Sequence, residues 1–97
     1  MEDIKEIVWK RYEVYEKEIL FENEEVVIFS ITFADDFVMI LDKKNKIMYA
    51  YCEDGHEYIT EEISIIHIGW TSIKYNNRRL ITDIISKYID IPRIYFL

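Results

Sequence analysis

Two aspartates and a lysine near the middle of the chain are of the residue types that metal-dependent hydrolysis uses. Asp36 and Asp42 lie on either side of a short apolar run, and Lys44 follows shortly after the second aspartate. Carboxylates bind divalent cations, and a lysine beside them can position or activate the attacking water. These three residues are candidate catalytic groups, and they are equally typical of turns between strands.

A second set of potential ligands lies around Cys52 and His56, which are four residues apart among several acids. A zinc site requires three or four well-placed ligands, and only two sulphur or imidazole donors are present here. His67 lies within an apolar run and has the surroundings of a hydrogen-bonded core or edge residue. We therefore expect no metal and no cofactor, and a buried structural role for Cys52. No phosphate-binding loop, dinucleotide fingerprint or nucleophile elbow is present either.

Two helices are predicted, one at each end of the chain. Apolar residues recur at helical spacing from residue 2 to about residue 21, and a strand over residues 9–20 remains an alternative there. A second helical repeat begins at Ser72 and stops before Pro92, since proline cannot continue a helix.

The segments between and after these helices are rich in β-branched and aromatic residues, which favour strands. The predicted strands are residues 26–33, 37–41, 47–52 and 58–68, with a short last strand at 93–97. At 97 residues the chain has the size of one domain. The prediction is a single α+β domain over residues 1–97, an antiparallel four- to five-stranded meander sheet with an N-terminal and a C-terminal helix, in the order α-β-β-β-β-α-β.

In the order of its elements this prediction resembles the core of the PD-(D/E)xK nucleases, which hold a metal with an aspartate and an acid-x-lysine pair. The resemblance implies that Asp36, Asp42 and Lys44 would form the site of a metal-dependent nuclease or of a nuclease relic. The sequence departs from that pattern, because both acids flank one strand and the lysine falls in a turn.

The composition predicts a compact protein of a reducing compartment. Hydrophobic residues make up 51% of the chain, and it has two glycines, one proline and one cysteine. The N-terminus is acidic where a signal peptide carries positive charge, and no apolar stretch approaches the roughly 20 residues that span a bilayer. We expect a cytoplasmic protein, in the host cytoplasm if its source is a virus. Abundant lysine and glutamate fit a low-GC genome or a thermophile.

The charge is distributed unevenly. The formal net charge is −7, and residues 1–25 hold nine acids against four bases, whereas residues 72–97 hold five bases against two acids. An acidic body argues against nucleic-acid binding, which requires clustered cations. It favours solubility, or binding to a basic protein surface.

A partner-binding surface is predicted on the first helix. On a helical wheel, Trp9, Glu13, Glu16 and Leu20 fall away from the buried stripe, which is an unusual place for a tryptophan. Trp and Tyr anchor interfaces at little entropic cost, and the neighbouring carboxylates would favour a basic partner.

A second prediction of a partner comes from the strands, which are apolar on both faces. If both helices cover one face, the other requires a second copy of the chain or another protein. The alternative is that the helices divide between the two faces and leave nothing uncovered.

The function predicted is a small acidic non-enzymatic protein-binding module that forms a homodimer. It occupies a basic surface of a partner protein and thereby inhibits or regulates that partner. Viral or mobile-element proteins and toxin-immunity proteins include small chains of this kind. The alternatives are the nuclease described above and a structural homo-oligomer such as a minor virion component.

Overall fold

The computed structural model describes residues 3–11, 13–31, 37–52, 69–75 and 78–89. These residues form two helices and five strands. In chain order they are α1 (Ile4–Arg11), β1 (Lys17–Glu22), β2 (Val26–Ile31), β3 (Phe37–Asp42), β4 (Ile47–Cys52), β5 (Thr71–Tyr75) and α2 (Arg78–Ser86). In this part of the chain no helix has the length and apolar content needed to cross a membrane.

The start of α1 follows from an aspartate that caps it. The Lys5 amide donates a hydrogen bond to Asp3 Oδ1 at 3.1 Å, and the Ile7 amide donates to the Asp3 carbonyl at 3.1 Å. Such capping satisfies amides that have no partner within the helix. Ile4 and Val8, one turn apart, are the buried residues of this helix.

The end of α1 is a left-handed turn at Glu13, whose φ is 53°. The Val14 amide donates to the Trp9 carbonyl at 2.8 Å, and the Glu13 amide donates to the Lys10 carbonyl at 3.4 Å. This pair of bonds is the Schellman motif, which usually has glycine in the left-handed position. The predicted helix to about residue 21 is therefore wrong from Glu13 onward. The alternative of a strand over residues 9–20 holds for residues 17–20, which belong to the observed strand Lys17–Glu22.

A short hairpin joins β1 to β2 through Asn23. Asn23 Oδ1 accepts hydrogen bonds from the amides of Glu25 and Val26, at 2.7 and 2.8 Å. The Asn23 amide in turn donates to the Val26 carbonyl at 2.9 Å. Asparagine suits this place because its side chain replaces the backbone partners that the turn lacks.

The sheet has the order β1-β2-β3-β4-β5. The first four strands form an antiparallel meander, and β5 runs parallel to β4. The prediction of an α+β fold with an N-terminal helix, an antiparallel meander and a C-terminal helix is confirmed. The helix predicted from Ser72 is wrong at its start, because residues 71–75 pair with β4 and α2 begins at Arg78. The predicted strands at 58–68 and 93–97 lie outside the described residues.

The two helices pack on opposite faces of the sheet, and each face carries a buried apolar cluster. The α1-side cluster consists of Ile4, Val8, Val14, Val27, Phe29, Ile31, Met39, Leu41, Met48, Ala50 and Trp70. The α2-side cluster consists of Val26, Ile28, Val38, Ile40, Tyr51, Ile81 and Ile85. The expectation that both helices cover one face is wrong, and the alternative of divided helices is the observed arrangement.

Candidate protein-binding surface

The four residues predicted to bind a partner do not form one helical stripe, because α1 ends before three of them. Trp9 lies on α1, Glu13 in the turn that ends this helix, Glu16 in the link to β1, and Leu20 within β1. Glu13 and Glu16 are exposed and follow Trp9 closely in the chain. Leu20 instead packs against the α2-side cluster, on the other face of the sheet. The structure therefore separates Leu20 from Trp9.

Trp9 has a structural role in addition to its predicted binding role. Its ring is half-buried and meets the Phe29 ring edge to face, with centroids 5.7 Å apart and planes at 86°. The Lys17 ammonium lies 4.3 Å from the centre of the Trp9 ring. Edge-to-face pairs and cation–π contacts each stabilise a fold by roughly 0.5–1 kcal/mol. The indole Nε1 is buried and has no hydrogen-bond partner among the described residues.

An open hollow of about 370 Å³ lies beside Trp9. Its lining residues are Glu6, Trp9, Lys10, Val14, Tyr15 and Lys17. Tyr15 is 79% exposed at the margin of this hollow, and Ile19 on the neighbouring strand is 44% exposed. Among the described residues these two are the exposed large hydrophobic side chains, and apolar surface beside a polar rim is typical of protein interfaces.

Carboxylates flank these exposed apolar residues along the chain. We call Glu16, Glu18, Glu22, Glu24 and Glu25, on β1 and its flanking turns, the acidic edge. All five residues are exposed. Within the described part of the chain, no cation pairs with Glu16, Glu18, Glu24 or Glu25. The acidic edge therefore has most of its negative charge available to a partner.

Two lysines of this region point back onto the protein. Lys5 Nζ donates a hydrogen bond to Glu22 and lies 3.7 Å from Asp3. The hydrogen bond to Glu22 raises the pKa of Lys5 above its usual value, and the desolvation of the ammonium partly opposes this effect. Lys17 Nζ lies over the Trp9 ring and 3.4 Å from the carbonyls of Val14 and Tyr15. Neither cation covers the unpaired glutamates.

Two of the candidate nuclease residues, Asp42 and Lys44, lie next to the β1–β2 hairpin, because Asp42 pairs with Val26 and the Lys43 amide donates a hydrogen bond to the Glu25 carbonyl at 2.8 Å. Asp42 and Lys44 line a polar cleft of about 310 Å³ between the β3–β4 turn and α2. Both carboxylate oxygens of Asp42 accept hydrogen bonds from Asn45, from its amide at 3.0 Å and its Nδ2 at 2.9 Å. Asp42 thus stabilises the turn in which Lys46 has a φ of 57°. Asp36 lies outside the described residues.

The described residues contain no group of three or more His, Cys, Asp or Glu side chains that could hold a metal. Cys52 lies at the end of β4, and His56 and His67 lie outside the described residues. The structure thus brings Asp42 and Lys44 to one cleft, where Glu25 is the other carboxylate among the described lining residues.

Three residues of the candidate surface were missed by the sequence patterns. Tyr15 and Ile19 fit the buried stripe of a longer helix, but the structure exposes both. Lys17 has no distinctive motif, and its contact with Trp9 follows from the fold. The signal that could have identified them is the Asn23 turn between two apolar runs, which is typical of a hairpin and would make the preceding run a strand.

No protein-family model, curated protein or solved structure matches this chain.

Proposed function

We propose that this protein is a small, acidic, non-enzymatic binding module that occupies a basic surface of a partner protein and thereby inhibits or regulates it. The observation that carries the proposal is the acidic edge beside the exposed Tyr15 and Ile19. Proteins of viral, mobile-element or toxin-immunity type are the class in which we expect such a module.

The charges of this surface support a basic partner. Unpaired surface carboxylates steer a positively charged protein toward the site and exclude acidic competitors. Their effect weakens with salt, because the screening length is about 10 Å at 0.1 M ionic strength. Capture of the partner should therefore weaken as salt is raised.

The apolar groups supply the affinity that charges alone do not provide. Tyr15 combines a large exposed area with few rotatable bonds, and tyrosine is enriched among the residues that dominate binding energy. Trp9 lies beside it and keeps the hollow in shape through its contact with Phe29. We assign Tyr15 the role of anchor, with Trp9, Glu13 and Glu16 around it.

A variant that separates binding from stability tests the proposal. Glu13→Gly removes one carboxylate and places glycine where φ is 53°, so it should stabilise the fold by about 0.5–1 kcal/mol. Tyr15→Ala removes an exposed ring with little structural cost. The double variant should bind the natural partner at least about tenfold more weakly while unfolding at the same or a higher temperature.

The measurement is affinity capture from the source cells with the full chain immobilised, followed by titration of the protein that is recovered. Asp83→Ala is the matched control, because it removes one exposed carboxylate from α2. It should leave capture unchanged. Equal affinity of the double variant, the control and the natural chain for the recovered partner would remove Tyr15 and Glu13 from the binding surface. Trp9→Ala is a weaker test, since it also removes the contact with Phe29.

Self-association is also part of the proposal, although one reason for it no longer applies. Since α2 packs on the second face of the sheet, an uncovered apolar face does not require a second copy. The nuclease and virion-component alternatives stay predictions, and no contact among the described residues favours either.

A further inference from the structure

The outer edge of β1 is a free sheet edge within the described part of the chain. β1 is the first strand in the sheet order, and among the described residues only β2 pairs with it. Alternate residues of an edge strand direct their amide and carbonyl groups away from the sheet. These groups form a template to which another extended segment can add.

The side chains of β1 give this edge two chemically different faces. Glu18 is opposite Ser30, on the α2 side, and Ile19 is opposite Phe29, which belongs to the α1-side cluster. Both Glu18 and Ile19 are exposed. A strand added at this edge would therefore meet a carboxylate on one face and an apolar side chain on the other. Residues that alternate between basic and apolar match this arrangement.

The same charges oppose pairing between two copies through this edge. In an antiparallel pair centred on Glu18, the two copies of that glutamate face each other. A pair centred on Ile19 places Glu16 opposite Glu22, and one centred on Leu20 places Glu18 opposite Glu22. Like charges directly opposite each other destabilise a strand pair. A basic segment replaces each of these repulsions by an attraction.

The bulge in β1 confines the pairing region. The register with β2 shifts between Ile19 and Phe21, so that Leu20 has no partner in β2. A bulge bends the strand and interrupts regular pairing, and bulges and lysines commonly protect sheet edges. The lysine of this edge, Lys17, is turned onto Trp9 and does not shield it. The regular part, Lys17 to Ile19, is the accessible template.

We propose that the outer edge of β1 accepts an extended segment of the partner, in which basic and apolar residues alternate, as an additional strand of the sheet. This inference rests on the proposed function, because it specifies how the basic partner binds. It assigns recognition to backbone hydrogen bonds at Lys17 to Ile19, with charge selection by Glu18.

A synthetic peptide of alternating lysine and valine, matching β1 in its length of six residues, is the probe. Fluorescence anisotropy of the labelled peptide with the full chain measures its affinity. Glu18→Lys should weaken binding by about fivefold to tenfold, since it exchanges attraction for repulsion. Asp83→Lys makes the same charge change on α2 and should alter the affinity by less than about twofold.

Two further peptides, methylated on alternate backbone nitrogens, test strand addition itself. In an added strand only one of the two sets of amides faces β1. One methylated peptide should therefore lose about tenfold or more in affinity, and the other should bind nearly as well as the parent. Hydrogen exchange of amides in Lys17–Glu22 should slow when the parent peptide binds.

Equal binding of the two methylated peptides would overturn the inference, as would absence of saturable binding by the parent peptide. A dimer of the free chain, seen by light scattering and dissolved by the peptide, would assign the edge to a second copy and overturn it too. None of these results changes the outcome for Tyr15 and Glu13 with the natural partner. The inference can therefore fail while the proposed function stands.

Discussion

Removing one side chain from the contact between α2 and the sheet tests whether this helix covers the second face. Ile85 is 2% exposed and lies in the α2-side cluster. Ile85→Ala deletes three carbon groups, each of which contributes about 0.8 kcal/mol on burial, or about 2.4 kcal/mol together. The cavity left behind adds to this, so a loss of about 3–4 kcal/mol is expected.

Urea unfolding followed by circular dichroism measures this loss. A domain of this size has a free energy of unfolding of about 5–15 kcal/mol, so the variant should remain folded in water. Because the free energy of unfolding falls by about 1 kcal/mol per molar urea, the urea concentration at the unfolding midpoint should fall by about 3 M. Asp83→Ala, at an exposed position of the same helix, should change the stability by less than about 0.5 kcal/mol.

A loss below about 1 kcal/mol for Ile85→Ala would refute the reasoning. It would mean that α2 does not seal the second face in solution. The apolar residues of that face would then again require a cover from outside the chain, and self-association would regain its support.

Two other predictions concern the region around the acidic edge. Asn23→Ala removes the acceptor of two amide hydrogen bonds in the β1–β2 hairpin, and urea unfolding should show a loss of about 1–2 kcal/mol, whereas Glu24→Ala in the same turn should show little change. Glu22→Gln should cost less than about 1 kcal/mol at neutral pH, because the pair with Lys5 is near the surface. Since the pKa of Lys5 is raised in the folded state, the stability from this pair is fully present below the usual lysine pKa, and it is lost as pH rises through the folded value. The difference between Glu22→Gln and the natural chain should therefore be constant at neutral pH and shrink in strongly alkaline solution; a difference that shrinks between pH 6 and 8 would contradict this account.

The central strands could be predicted from the sequence because their signals are local. β2, β3 and β4 are apolar runs bounded by turn residues, and the predicted ranges agree with the observed strands in this region. The turn after Asp42 was recognisable for the same reason, since aspartate and asparagine supply hydrogen bonds to nearby amides.

The ends of the helices could not be predicted because non-local pairing decides them. Tyr15 and Ile19 have helical spacing relative to Val8, but residues 17–22, except Leu20 at the bulge, gain partners along β2. The turn at Glu13 has no glycine to indicate it. Ser72 likewise continues a helical repeat, yet pairing with β4 makes this segment a strand. Where the spacing of apolar residues in a segment fits both a helix and a strand, the available partner strand determines the structure of that segment.

The candidate surface was only partly predictable. Trp9, Glu13 and Glu16 were selected from a helical wheel, and that reason does not apply to Glu13 and Glu16, because α1 ends at Arg11. These two acids remain close to Trp9 in the chain. The positions of Tyr15 and Ile19 follow from the strand and its edge, and therefore required the fold. The sequence also could not predict which face of the sheet each helix covers, because neighbouring residues that point to opposite faces, such as Val27 and Ile28, are equally apolar.

Because the two helices pack on opposite faces of the sheet, β2 contributes side chains to both apolar clusters. Its residues alternate between them, with Val27 and Phe29 in the α1-side cluster and Val26 and Ile28 in the α2-side cluster. All four are at most 2% exposed. Unfolding of either cluster therefore removes β2 side chains from the other cluster. A destabilising substitution on either side of the sheet should therefore lower the midpoint of one common unfolding transition. The two layers should unfold as a single cooperative unit and not one after the other.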